Sequence, residues 1–99
     1  MPDSLEPIAL PIDGVLDLHA FRPAEIAALI PDYLAECRKL GLIHIRIIHG
    51  KGTGTLRRLV HAQLARINYV TGFRLGDATS GSWGVTLVTI RPPDQPVSA

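Results

Sequence analysis

The run His49-Gly50-Lys51-Gly52-Thr53-Gly54 lies between an isoleucine-rich segment and an apolar segment of helical period. Its composition suits the binding of a phosphate. Glycines let successive backbone N–H groups turn inward and let a ligand approach the main chain closely. The helix expected after the turn contributes unpaired amides and the positive end of its dipole, and Lys51 adds a full charge. The spacing is neither that of a Walker A loop nor that of a dinucleotide fingerprint. Ile45 stands where the first would have a glycine, Gly52 follows the lysine where it needs Ser or Thr, and Thr55 takes the place of the second's third glycine. The alternative is a flexible strand-to-helix connection with no ligand.

Three side chains could act on a phosphate held there. Asp17 and His19 are two apart in a β-prone segment, which puts them on one face of a strand, about 6–7 Å apart at the backbone. A carboxylate so placed orients a histidine and raises its basicity; otherwise His19 caps the strand and Asp17 is solvated or bonded to nearby amides. His49 and His19 could serve as general base and general acid, since an imidazole titrates near neutrality. With Asp17 they could instead bind a divalent metal, though no motif spacing supports a resident one. Arg57, Arg58 and Arg66 could track neighbouring phosphates. Trp83 either stacks on a base or sugar or closes the core. His44 and His61 read as surface or packing residues, His61 with a place on the basic face.

The elements that must hold these residues follow from periodicity. Val15–His19 alternates as a strand. Pro23 opens a helix whose apolar positions Ile26, Leu29, Ile30, Tyr33, Leu34, Cys37 and Leu40 recur at helical spacing; Pro31 should bend it and Gly41 end it. Ile43–Ile48 reads as a strand covered on both faces. Leu56, Leu59, Val60, Leu64 and Ile67 form one face of a second helix. Val70–Leu75 and Val85–Ile90 are strands joined by a loop at 76–83. Residues 1–13 read as an extended arm, with a short edge strand at Ile8–Ile12, 14–91 as the folded domain, and 92–99 as a loose tail. The order β-α-β-α-β-β is that of an α/β two-layer sandwich with a mixed four-stranded sheet. Parallel β-α-β units bring strand ends and helix starts to one edge, where open sheets bind ligands. His19, His49 and the loop ending at Gly84 should meet there.

Composition bounds the partner. The chain has 99 residues, 46% of them hydrophobic, and a formal net charge of +1, enough for one aliphatic core. The charge is unevenly distributed. Cys37 to Gly76 contains no Asp or Glu but carries Arg38, Lys39, Arg46, Lys51, Arg57, Arg58, Arg66 and Arg74, whereas the charged residues of the first 36 are acidic except for Arg22. A basic middle points to an anionic partner. The single cysteine, Cys37, can form no internal disulfide. No charged-then-apolar leader or membrane-length apolar run is visible, so a soluble, cytoplasmic protein without a membrane partner is expected.

Together these residues resemble the small MutS-related (Smr) domain. Leu16-Asp17-Leu18-His19 is similar to its leading motif, Ile48-His49-Gly50-Lys51-Gly52-Thr53-Gly54 with Leu56-Arg57 to its central one, and Gly84-Val85-Thr86-Leu87-Val88 to its closing strand. Ala20 and Ser82 replace glycines common in the family. The resemblance implies a fold like the C-terminal domain of translation initiation factor 3, and binding of DNA or RNA, with ribosome association among the options. In several members it implies endonuclease activity. It links Asp17 and His19 to cleavage, and His49, Gly50 and Gly52 to substrate binding and activity.

Overall fold

The computed structural model describes residues 12–77 and 84–93. The arm at 1–11 with its expected strand at Ile8, most of the 76–83 loop with Trp83, and the tail from 94 lie outside the described residues. The elements are β1 (Val15–Asp17), a 3-10 turn (Leu18–Ala20), α1 (Pro23–Lys39), β2 (His44–Ile48), α2 (Thr55–Leu64), β3 (Val70–Leu75) and β4 (Val85–Ile90). The four strands form one mixed sheet in the order β1-β2-β4-β3. β1 and β2 are parallel, and β4 runs antiparallel to both β2 and β3. β3 is therefore parallel to β2 but one place removed, and β4 returns into the gap.

Both helices lie on one face of the sheet. α1 turns Ile26, Ile30, Tyr33, Leu34 and Cys37 inward, and α2 adds Val60 and Leu64. Ile45, Ile47, Val88 and Ile90 meet them from the sheet. The reading of β2 as covered on both faces is corrected here. Its burial alternates, with His44 and Arg46 exposed, because no described helix packs on the second face. A strand with one open face keeps period 2, and three isoleucines had hidden that period.

α1 continues through Pro31 as one helix. The carbonyl that Pro31 leaves without a donor belongs to Ala27, on an exposed position, where water can satisfy it. Gly41, at φ +77°, ends the helix in a Schellman motif. The Leu42 N–H donates to Cys37 O at 2.9 Å and the Gly41 N–H to Arg38 O at 3.1 Å. The residues after β4 are tied down at their start, where Arg38 donates to the carbonyls of Arg91 (3.0 Å) and Pro92 (3.3 Å).

Tyr33 couples α1 to the strand that precedes the site. Its buried hydroxyl accepts from the Gly14 N–H and donates to Val15 O, both at 3.1 Å. Tyr33→Phe keeps the ring and orphans both backbone groups. Stability should fall by about 1–3 kcal/mol, because a buried polar group that loses its partner bears its full desolvation cost. Urea denaturation of the two proteins measures this, with an unchanged slope and a lower midpoint expected.

Candidate nucleic-acid interface

The carboxyl ends of β1 and β2, the amino end of β4 and the start of α2 share one edge of the sheet. Asp17 ends β1 and turns the chain. Its Oδ1 accepts the His19 N–H at 2.9 Å, which starts the 3-10 turn. The same oxygen accepts from His19 Nδ1 at 2.8 Å. His19 is thus on a turn, not on the strand expected from alternation, because the carboxylate draws the chain round before another pleat can form. The turn shortens the separation to direct contact. A carboxylate only accepts, so Nδ1 carries the proton and the neutral ring presents its lone pair at Nε2. The backbone hydrogen bond from His19 is the largest cause holding the Asp17 carboxyl below its ordinary 3.8. Both side chains face solvent, 62% and 55% exposed.

His19 Nε2 abuts the glycine turn. A β-carbon at Gly50 would lie 3.1 Å from it, and Gly50 has a φ of +83°. On its other side Gly50 meets Gly84, whose carbonyl accepts the N–H groups of His49 (3.0 Å) and Gly50 (2.9 Å). A β-carbon at Gly84 would come within 3.3 Å of the Gly50 backbone. The Gly50 N–H is therefore spent inside the fold, which corrects the expectation that every amide of the turn faces a ligand. Gly52 and Thr53 are exposed, and Gly54, at φ +89°, is the N-cap of α2. The guanidinium groups of Arg57 and Arg58 fold back over it, 2.9 and 3.2 Å from where its β-carbon would be. His49, Gly50, Gly52–Leu56 and Arg57 line a cavity of about 200 Å³.

His49 is turned inward and is 4% exposed. Its Nδ1 donates to the Gly50 carbonyl at 2.8 Å. That bond assigns the neutral tautomer, so Nε2 accepts from the Thr86 hydroxyl, also at 2.8 Å. Thr86 Oγ1 accepts in turn from His61 Nε2 at 2.8 Å. A directed chain thus runs from α2 through β4 to the glycine turn. His61, read from sequence as a surface or packing residue, is its donor, and its ring also packs on Phe73 with centroids 4.9 Å apart. Thr86 was missed altogether. Its one available signal was being the polar residue on the core face of a strand.

Burial is the main cause that lowers both imidazole pKa values below the ordinary 6.5, and Arg57 pushes each the same way. In the unfolded chain these histidines take up protons near 6.5, before the folded ones do. Below that pH the unfolded state binds more protons, so stability present above 6.5 is lost as pH falls through the folded values. The Asp17 carboxyl titrates below 3.8 and leaves this window untouched. Melting temperature should decline from pH 7 to pH 5, and His61→Gln, which keeps a donor but cannot titrate, should flatten that decline.

Arg66 does not join the site. It follows the carboxyl end of α2, roughly 18 Å from Gly54 at the helical rise. Among the described residues no group of three or more His, Cys, Asp or Glu is placed to hold a metal ion, and His49, the third donor expected beside Asp17 and His19, points into the core. No helix among the described residues is long and apolar enough to cross a membrane.

The Smr domain model matches residues 16–91, from the strand that carries Asp17 to the end of β4. The chain belongs to the Smr family. It is 39% identical over 83 residues to Endonuclease MutS2 of Lachnoclostridium phytofermentans and 39% identical over 77 residues to that of Thermus thermophilus, covering 84% and 78% of this chain. It spans only 10% of the length of either relative. The crystal structure of the Smr domain of Thermus thermophilus MutS2 superposes with a TM-score of 0.72 at 38% identity, covering 79% of this chain and 98% of that domain. YdaL, a stand-alone small MutS-related protein from Escherichia coli, shares the fold at a TM-score of 0.67 and 22% identity, covering 82% of this chain and 66% of YdaL. The Smr domain thus has the mixed sheet and two-helix layer expected from its motifs.

Proposed function

We propose that this Smr domain binds the backbone of DNA or RNA at the glycine turn and cleaves it with His19. The observation that carries the reading is the Asp17–His19 pair, 2.8 Å apart, with Nε2 directed at the backbone of Gly50. A phosphate seated on the amides of Gly52, Thr53 and Gly54, at the start of α2, lies beside that nitrogen, with Lys51, Arg57 and Arg58 around it. His19 Nε2 takes the proton of the attacking hydroxyl, from water or from a ribose. The new bond to phosphorus forms as the bond to the leaving oxygen breaks, and that oxygen takes a proton from solvent. Asp17 stabilises the imidazolium, and the amides and Lys51 oppose the charge gathering on the phosphoryl oxygens. His49, with both nitrogens engaged, positions the turn and does not exchange protons with substrate.

A second reading is a module that binds DNA, RNA or the ribosome without cutting. The exposure of Asp17 and His19 favours it, because a water-filled site weakens electrostatic stabilisation. Purified protein on supercoiled DNA and on structured RNA, with and without a chelator, separates the two. Cleavage supports the first reading and its loss with chelator adds a metal. Salt-sensitive binding with no turnover supports the second.

A further inference from the structure

The sheet face opposite the helices carries a shallow cavity of about 510 Å³, larger than the one at the glycine turn. Among the described residues, the ionisable ones lining it are His44, Arg46 and Arg74, all basic. Strand register arranges them in rows. Arg46, Leu87 and Arg74 are cross-strand partners, and His44, Thr89 and Gly72 form the next row. The two arginines are thus two strand spacings apart, roughly 9–10 Å at the backbone, on either side of an aliphatic floor. On the opposite side of the arginine row lie Asp17, Ile48 and Val85, again in register. Asp17 therefore belongs both to the candidate cleavage pair and to this face. Rows follow one another at roughly 7 Å, close to the interval between phosphates of an extended single strand.

We infer that the open sheet face is a track for single-stranded nucleic acid leading to the Asp17–His19 pair. The inference rests on the function proposed above and extends it. The strand crosses the sheet edge at the glycine turn, where Arg57 and Arg58 hold one flank, and its other flank runs down the open face to the arginine row. Charge complementarity selects a polyanion, and Gly72 in the far row keeps the surface low between the strands. The face joins the site along β1, where Val15 and Asp17 are exposed, whereas Val85 in the Asp17 row is buried. A duplex, which is wider than this trough, contacts only its rim.

The test uses fluorescein-labelled oligothymidylates of about 4 and about 12 nucleotides, lengths that span typical single-strand sites. Arg46→Gln with Arg74→Gln should leave affinity for the shorter probe unchanged. For the longer probe it should weaken affinity about tenfold and reduce the salt slope by about 1.4, two phosphate contacts' worth. Arg57→Gln with Arg58→Gln should weaken both probes. In the unsubstituted protein, amide resonances of Gly72, Leu87 and Thr89 should shift with the longer probe, a readout that needs no variant to fold. If only the Arg57 and Arg58 pair matters and those resonances stay still, the track is overturned and the proposed function stands. Loss of duplex binding alone in the Arg46 and Arg74 variant overturns the single-strand assignment. No binding of either probe by the unsubstituted protein at low salt overturns the track, and if supercoiled DNA and structured RNA are left unbound as well, the proposed function falls with it.

Discussion

His19→Ala should lower nucleic-acid cleavage by about 10²–10⁴-fold, the usual contribution of a positioned general base, while leaving affinity for substrate nearly unchanged. The separation of the two effects follows from geometry. The groups proposed to bind phosphate are amides of the turn and basic side chains around Gly54, whereas His19 meets that turn at Gly50, with the Nε2 edge of its ring. Asp17→Asn keeps an oxygen able to accept from His19 but removes the charge that stabilises the imidazolium. Its loss should be smaller than that of His19→Ala. The double variant should be no worse than His19→Ala alone, because residues that act as one unit do not add. Initial rates of nicking and of RNA cleavage, read beside binding isotherms, check all three variants. Unchanged rates in His19→Ala would remove His19 from the mechanism whatever the binding shows.

Gly50→Val should abolish cleavage and destabilise the fold, whereas Gly52→Ala should do neither. At Gly50 the backbone φ is +83° and an added β-carbon would sit 3.1 Å from His19 Nε2. Forcing an L-residue into the left-handed region costs about 1–2 kcal/mol, and a β-branched side chain more. His19 is exposed and can give way, but only by leaving the position that faces the turn. Gly52 has no neighbour within 4 Å of its hypothetical β-carbon, so alanine is accommodated there. Denaturant midpoints and cleavage rates, measured for both variants, test the contrast. Equal behaviour of the two would mean that the contact between Gly50 and His19 has no bearing on the site.

The amino-acid order determined a good deal alone, wherever the cause is local. The apolar period of α1, the glycine that ends it, the run of Val85–Ile90 and the glycine turn before α2 each depend on residues a few positions apart. The same holds for Asp17 and His19, whose spacing allowed contact, although alternation suggested a strand. A carboxylate accepting from an N–H two residues on is as local as the pleat it displaces, and composition does not say which prevails.

Tertiary structure decided the rest. Strand order depends on β4 entering between β2 and β3, a choice among pairings that local preference leaves equivalent. That insertion seats Gly84 against Gly50 and Thr86 between His49 and His61, contacts that join positions 37 and 25 residues apart. It turns His49 into the core and leaves His19 at the surface, although both histidines read alike at a strand end. It also places Arg46 and Arg74 in one row across Leu87. The types and spacing of residues thus pointed to a glycine turn suited to phosphate, with a histidine at each of two strand ends. Which histidine stands exposed beside that turn was decided only when burial and long-range hydrogen bonds occupied both nitrogens of the other.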